Sequence, residues 1–211
     1  MADTVDSFLG REVAEEDARA HLVMAVQRPP DAAKNPGRLL DRILHAYRRK
    51  KARRQLTGKQ IHSVLFLCQG NAYRSPYAAA VFNGALAAME SEALINVASA
   101  GFTAPGRSSP ERALVVAREH GIDLSTHRST LVTPQAVSNA DLVVVMSEDQ
   151  ERRVLSSYGR KVWLLNLGDL DPLPIQSRSI TDPWGCEADV VDDVFSRIDR
   201  CVVQLAKMIA K

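Results

Sequence analysis

The sequence predicts an α/β protein, an open four-stranded parallel sheet flanked by helices, with a helical extension at its N-terminus. Three observations predict it. From Ile61 onward, short β-rich runs alternate with helix-forming stretches, the pattern of successive βαβ units. One run, DLVVVM (Asp141–Met146), is almost wholly apolar, as a strand covered on both faces should be. Near the C-terminus, Val191, Val194, Phe195, Ile198, Val202 and Leu205 recur at helical spacing, so a helix there should press one side against the core.

In chain order, residues 1–60 read as a basic helical extension and residues 61–211 as the α/β domain. The extension divides into a helix over roughly Arg11–Gln27 and another over Gly37–Gln55, separated by the breaker-rich RPPDAAKNPG. In the second, Leu39, Leu40, Ile43, Leu44 and Tyr47 share one helical face. It runs into RRKKARRQ, Arg48–Gln55, which contains no acidic residue. Such a cluster is either a solvated helix end or a contact for an anionic partner: a membrane surface, a nucleic acid or an acidic protein.

The domain begins with the strand IHSVLFL, followed by a helix over Ser75–Glu90. LINVAS (Leu94–Ser99) is the second strand, leading through AGFTAPGRS to a helix over Ser109–His120 that stops at Gly121. Asp141–Met146 is the third strand, and KVWLLNL (Lys161–Leu167) the fourth. A loop rich in proline and aspartate then reaches TDPWGC, and the last helix spans about Ala188–Ile209.

Composition narrows the functional classes. The chain has 211 residues, 45% of them hydrophobic, enough for one sizeable core. Its net charge is +2, but residues 1–60 carry 13 Lys/Arg against 8 Asp/Glu, so the remainder is mildly acidic. Only Cys68, Cys186 and Cys201 occur, none in CxxC spacing, which argues against a disulfide scaffold and a structural zinc site. The N-terminus lacks the features of a secretory signal, and no window is apolar enough to cross a bilayer. The expectation is a soluble, cytoplasmic protein.

The chemistry concentrates at VLFLCQGNAYRSPYAAA, Val64–Ala80. In an open α/β sheet, ligands bind beyond the carboxyl ends of the strands, and Cys68 stands at such an end. Gly70 allows close backbone approach, and Pro76 suits the first helical turn because its missing N–H would have no partner there. The loop amides and the helix N-terminus make an anion-binding nest, and Arg74 adds a planar fork suited to a tetrahedral oxyanion. The same positive field favours a thiolate at Cys68. Nucleophile, oxyanion cradle and fixed cation together suit attack on phosphorus. By itself C-x5-R is a weak pattern, and a lone cysteine beside a core strand is often inert packing.

The stretch closely resembles the signature loop of low-molecular-weight protein tyrosine phosphatases, C-x-G-N-x-x-R-S-P, matched by Cys68, Gly70, Asn71, Arg74, Ser75 and Pro76. Downstream marks follow in order: SAG (Ser99–Gly101), GIDLSTHRS (Gly121–Ser129), ADLVVVM (Ala140–Met146) and DPW (Asp182–Trp184). The resemblance covers about residues 61–211. It implies that fold, hydrolysis of phosphotyrosine in proteins through a cysteinyl-phosphate, and no cofactor or metal.

By that resemblance Cys68 is the nucleophile, Arg74 and the amides of Gln69, Gly70, Asn71, Ala72, Tyr73 and Ser75 hold the phosphoryl oxygens, and Asp182 is the general acid and base. Trp184 offers an aromatic wall to a substrate ring, although it could equally pack its own loop down. Asn71 shapes the loop, the Ser75 hydroxyl supports the thiolate, and Ser99 and His127 match supporting positions in the family's hydrogen-bond network. Asp169 and Asp171 lie in the same loop region without the Asp-Pro-aromatic setting.

The chain also departs from the family. Many relatives carry a second cysteine just before the arginine, where this chain has Tyr73. Cys186 is then the one other thiol plausibly near the cleft, and a Cys68–Cys186 bridge would have to satisfy tight Cα geometry. Asn139–Asp149 contains no cysteine, against a thioredoxin-coupled arsenate reductase; a single-cysteine arsenate reductase using an external thiol stays open. Ala72 occupies a place that varies in relatives acting on phosphoarginine, and Ser147 stands where many relatives have a carboxylate. A non-catalytic phosphate-binding module or a rhodanese-like sulfurtransferase are the other readings; neither needs the acid at Asp182.

Overall fold

The computed structural model describes residues 36–91, 94–159 and 162–210, with burial assigned from Leu44 on. The helix expected over Arg11–Gln27 lies outside the described residues.

Helix α1, Pro36–Leu56, comes first. Strand β1 is Ser63–Cys68, and the loop after it opens directly into α2, Arg74–Ala88. Strand β2, Asn96–Gly101, precedes α3, Glu111–Glu119, and the short α4, Pro134–Ser138. Strand β3 is Leu142–Val145, α5 is Glu148–Tyr158, and β4 is Leu164–Asn166. A 3-10 turn, Leu167–Leu170, follows, and α6, Ala188–Ile209, ends the fold.

The strands pair in parallel in the order β2-β1-β3-β4, so the expected four-stranded parallel sheet is present. The chain moves outward from β1 to β2 and then crosses back to β3, which makes the β1–β3 edge a topological switch point. Cys68 closes β1 at that switch point, in register with Gly101 of β2.

Alternation along the strands divides the core into two layers. Val64, Phe66, Cys68, Leu142, Val144 and Met146 join Tyr77, Phe82, Phe195 and Ile198. Leu65, Leu67, Val143 and Val145 pack with Phe102, Val132, Val137 and Val154 on the opposite face. The six apolar positions read from α6 are all buried.

Within the first layer a polar cluster ties α2, α3 and α6 together. Tyr77 stacks on Phe195 with 3.8 Å between ring centroids and donates its hydroxyl to Asp199 at 2.8 Å. His120 meets Asp199 through Nδ1 at 2.9 Å and Asp192 through Nε2 at 2.7 Å. Both ring nitrogens face carboxylates, an arrangement that suits the imidazolium. Burial holds the Tyr77 phenol well above its ordinary range, and the Asp199 charge adds to that.

The described part of the extension packs against the domain. Ala52 and Leu56 are buried and join the α6 side of the core, together with Ile61. His45, also buried, donates from Nε2 to the Asp171 carbonyl at 2.8 Å, and Arg49 donates to the Pro172 carbonyl at 3.1 Å. The docked stripe is therefore His45, Arg49, Ala52 and Leu56. Of the apolar face read from sequence, Tyr47 is 66% exposed and Leu44 is exposed as well, while the side chains of Leu39, Leu40 and Ile43 lie outside those described. Lys50, Lys51, Arg53 and Arg54 face solvent.

Asp171, fully buried, anchors the segment that α1 touches. Its carboxylate accepts from Arg197 Nε at 3.0 Å and from Arg200 at 2.8 and 3.1 Å. Arg197 also donates to the carbonyls of Ser177 and Ser179, fixing the approach to Ile180 and Asp182. Asp169 is held in turn by Nε and Nη2 of Arg178, each at 2.7 Å. The two aspartates given no role from sequence are thus the anchors of this loop. Among the described residues, no helix is long and apolar enough to cross a membrane.

Candidate active site

The loop from Cys68 to Arg74 wraps around its own sulfur. Cys68 Sγ, buried at the end of β1, lies 3.2 Å from the Asn71 amide nitrogen and 3.0 Å from Ser75 Oγ, and both donate to it. The Ser75 hydroxyl has one hydrogen and a second acceptor in reach, the Ala100 carbonyl at 3.3 Å. An anionic sulfur is the stronger attractor for that hydrogen.

Asn71 makes the curvature possible. Its φ is +48°, a left-handed conformation that asparagine tolerates better than most residues. Its side chain is used completely: Nδ2 donates to Ser75 Oγ and to Ser99 Oγ, each at 2.9 Å, and Oδ1 accepts from the Thr130 amide at 2.7 Å. His127 Nε2 lies 2.7 Å from the Asn71 carbonyl. A carbonyl only accepts, so Nε2 carries the hydrogen. The structure therefore brings together Cys68, Asn71, Ser75, Ser99 and His127 as one hydrogen-bonded set.

Neighbouring backbone locks the loop from outside. The Gln69 carbonyl accepts from the Phe102 and Thr103 amides at 2.9 and 3.2 Å, and from Thr103 Oγ1 at 3.1 Å. A β-carbon at Gly101 would stand 2.7 Å from the Asn71 nitrogen and 2.9 Å from the Gly70 carbonyl carbon, so glycine alone permits the approach. By contrast, open space surrounds Gly70 at the mouth. Ala72 and Tyr73 are buried behind it.

Arg74 begins α2 and is buried. It donates from Nη1 to the Ile180 carbonyl at 3.0 Å, and Nη2 forms an ion pair with Asp182. Its Nε is buried with no partner among the described residues. Asp182 reaches the cradle from the opposite side, its side chain 43% exposed. Trp184 is 59% exposed, with its ring 6.1 Å from that of Tyr73 and edge-on to it. Burial raises the Tyr73 phenol above its ordinary range; the Asp182 and Cys186 charges add to this and the Arg112 guanidinium opposes it. The mouth is thus bordered by two aromatic rings, a carboxylate and a guanidinium.

All three cysteines are free thiols, with Cys68 and Cys201 buried and Cys186 half-buried. Cys201 lies in the α6 core, where burial raises its thiol well above the ordinary range. Ser147 caps α5 by accepting from the Gln150 amide at 3.3 Å. Several contributors carried no sequence signal: the Thr130 amide, the carbonyls of Ala100 and Ile180, and Arg112 beside Tyr73. Three of these are main-chain groups available on any residue. Tyr73 was read for its amide, and its ring as part of the wall was not anticipated.

Comparison with known proteins agrees with this geometry. The family model for low molecular weight phosphotyrosine protein phosphatase matches residues 63–211. The chain is 32% identical over 144 residues to the probable low molecular weight protein-tyrosine-phosphatase EpsP of Ralstonia solanacearum, covering 67% of this chain and 92% of that protein. It is 31% identical over 153 residues to the protein-arginine-phosphatase of Bacillus subtilis, covering 70% and 97%. A crystal structure of a YwlE mutant from Bacillus subtilis superposes with a TM-score of 0.63 at 27% identity, covering 71% of this chain and 99% of that one. With the fold, the loop and the matched span in agreement, the chain belongs to the low molecular weight phosphotyrosine protein phosphatase family.

Proposed function

We propose that this chain hydrolyses phosphotyrosine in proteins, with Cys68 as nucleophile, Arg74 as the oxyanion clamp and Asp182 as the proton donor and acceptor. The arrangement that supports this most directly is Cys68 Sγ, hydrogen-bonded by Asn71 and Ser75 beneath the Arg74–Asp182 pair. The first step forms the S–P bond while the bond from phosphorus to the tyrosyl oxygen breaks, and Asp182 gives its proton to that oxygen. In the second, water forms a new O–P bond, the S–P bond breaks, and the water's proton returns to Asp182. The loop amides and Arg74 hold the equatorial oxygens throughout. Arg74 Nε, buried without an acceptor among the described residues, is a donor suited to one of those oxygens. An incoming phosphate dianion competes with Asp182 for the guanidinium, so binding frees the Asp182 side chain from that ion pair.

The exposed ring of Trp184, backed edge-on by the buried Tyr73, favours an aryl phosphate over a small phosphoester. Similarity to the Bacillus subtilis protein-arginine-phosphatase, together with the small Ala72, gives phosphoarginine as the second reading. We read residues 61–211 as the catalytic unit and residues 1–60 as its extension, and the free thiols as the mark of a cytoplasmic protein. The solvent-facing part of Arg48–Arg54 is the surface for an anionic partner.

The test is hydrolysis of p-nitrophenyl phosphate in EDTA by wild type, Cys68→Ser and Asp182→Ala, followed by phosphotyrosine and phosphoarginine peptides. Cys68→Ser is expected to show no turnover. Asp182→Ala should lose ~10²–10⁴-fold on a poor leaving group and less on p-nitrophenol. Persistent turnover by Cys68→Ser would overturn the mechanism, and preference for the phosphoarginine peptide would select the second reading.

A further inference from the structure

The loop Thr181–Glu187 carries the proton donor and the aromatic wall, and of its seven residues only Pro183 is buried. Asp182 and Trp184 are both largely exposed. Toward the cradle the loop is tied by the Arg74–Asp182 pair. Internally it turns through Gly185, at φ +77°, with the Cys186 amide donating to the Pro183 carbonyl at 3.1 Å. Beyond that turn, two ties to a different element come from one side chain. Arg112 donates from Nη1 to the Cys186 carbonyl, and its Nη2 lies 3.1 Å from Glu187 Oε2.

Arg112 stands in the first turn of α3, whose inner face of Ala113, Val116 and Ala117 is buried. The anchor therefore sits on a packed helix, while the loop beyond Pro183 is mostly exposed. Its charge also acts on the neighbouring Tyr73 phenol, and Tyr73 packs edge-on against Trp184. The contacts run from Arg74 to Asp182, through the turn of Trp184 and Cys186, to Arg112, and Tyr73 packs on Trp184 within the reach of the Arg112 charge.

We propose that Arg112 is a positioning residue for this phosphatase, its guanidinium fork holding the loop so that Asp182 and Trp184 stay over the phosphate cradle. The proposal rests on the reaction assigned above. A planar fork can serve a carbonyl and a carboxylate at once, which a lysine ammonium at the same place cannot do with the same geometry. Displacement of Asp182 matters most when the leaving oxygen needs its proton. Phenolate is such a group, whereas p-nitrophenolate leaves readily without help.

The experiment compares kcat/KM for phenyl phosphate and p-nitrophenyl phosphate in wild type, Arg112→Ala, Arg112→Lys and Glu187→Gln, with thermal midpoints and Trp184 emission read against a Trp184→Phe control. Arg112→Ala should lose about tenfold or more on phenyl phosphate and several-fold less on p-nitrophenyl phosphate. Its midpoint should stay near wild type, and its Trp184 emission should shift toward that of a solvated indole. Arg112→Lys should recover part of the selective loss. Equal losses on the two substrates, or none, in a folded Arg112→Ala protein would overturn the proposal. Should that variant not fold, Glu187→Gln decides: a smaller loss confined to phenyl phosphate supports it, and an unchanged substrate ratio rejects it. Turnover surviving in Cys68→Ser would instead sink the underlying reaction, an outcome distinct from any of these.

Discussion

Asn71 donates its side-chain amide to Ser75 Oγ at 2.9 Å, and this bond aims the serine hydroxyl at the sulfur of Cys68, 3.0 Å away. Because the amide occupies one lone pair of Ser75, the hydroxyl hydrogen is directed rather than free to rotate. The loop therefore orients its most useful donor through a residue that never meets the substrate's leaving group.

Ser75→Ala should slow the second chemical step more than the first. The hydroxyl stabilises the thiolate that departs when water attacks the cysteinyl-phosphate, so kcat should fall ~10–10²-fold, as for loss of a hydrogen bond to a charged group. A burst of p-nitrophenol followed by slow turnover is the expected stopped-flow signature. A kcat unchanged from wild type would count against that role.

Gly101→Ala should damage both stability and rate. The added carbon meets backbone of the catalytic loop at 2.7 and 2.9 Å, and backbone cannot rotate aside. The cost should be about 1–3 kcal/mol of stability, as for overpacking, with up to ~10² in kcat/KM from displacement of the cradle. Gly84→Ala, in α2 with nothing within 4 Å, is the control and should be neutral or mildly stabilising.

His120 should make the fold more stable in mild acid than in base. Burial opposes the charged ring, but the hydrogen bonds to Asp199 and Asp192 outweigh it and raise its pKa above 6.5. A group raised on folding contributes fully below its unfolded pKa, and that contribution disappears as pH rises through the folded value. The gap in urea midpoint between wild type and His120→Gln should be widest near about pH 5.5 and narrow toward about pH 9. A gap independent of pH would reject the charged form.

Leu56→Ala should destabilise the whole domain by about 2–5 kcal/mol, because Leu56 is a fully enclosed core side chain although it lies in the extension. Urea unfolding should remain a single transition at a lower midpoint. An unchanged midpoint would mean that α1 is dispensable. The same packing implies that removing residues 1–58 exposes core, so loss of activity after that deletion would reflect stability before chemistry.

Much of this was legible in the sequence because the signals were local. The four strands alternate or run apolar, and Asn71, Arg74 and Pro76 each carry a backbone or charge requirement into a short loop, whereas the close approach expected at Gly70 falls at Gly101 instead. Helix α5 was missed although Ser147 and Gln150 make an N-terminal cap: Ser147 Oγ accepts from the Gln150 amide, while Gln150 Oε1 accepts from the Met146 amide at 2.9 Å. The apolar β3 run is the dominant signal of that stretch, and a serine where relatives have a carboxylate does not by itself announce a cap. The docked side of α1 was illegible for a different reason. It depends on carbonyls of Asp171 and Pro172, and main-chain acceptors leave no trace in a side-chain pattern. The roles of Asp169 and Asp171 became visible only when the fold delivered Arg178, Arg197 and Arg200 to them.

The bond from His45 to Asp171 spans 126 residues of chain. On the ribosome α1 is made first, and the surface it rests on is not yet synthesised. At about 5–20 residues per second, helix and platform are separated by roughly 6–25 s of translation. During that interval the Ala52–Leu56 stripe has no native cover, so newly made chains carry their greatest exposure to chaperones and to one another before residue 172 emerges.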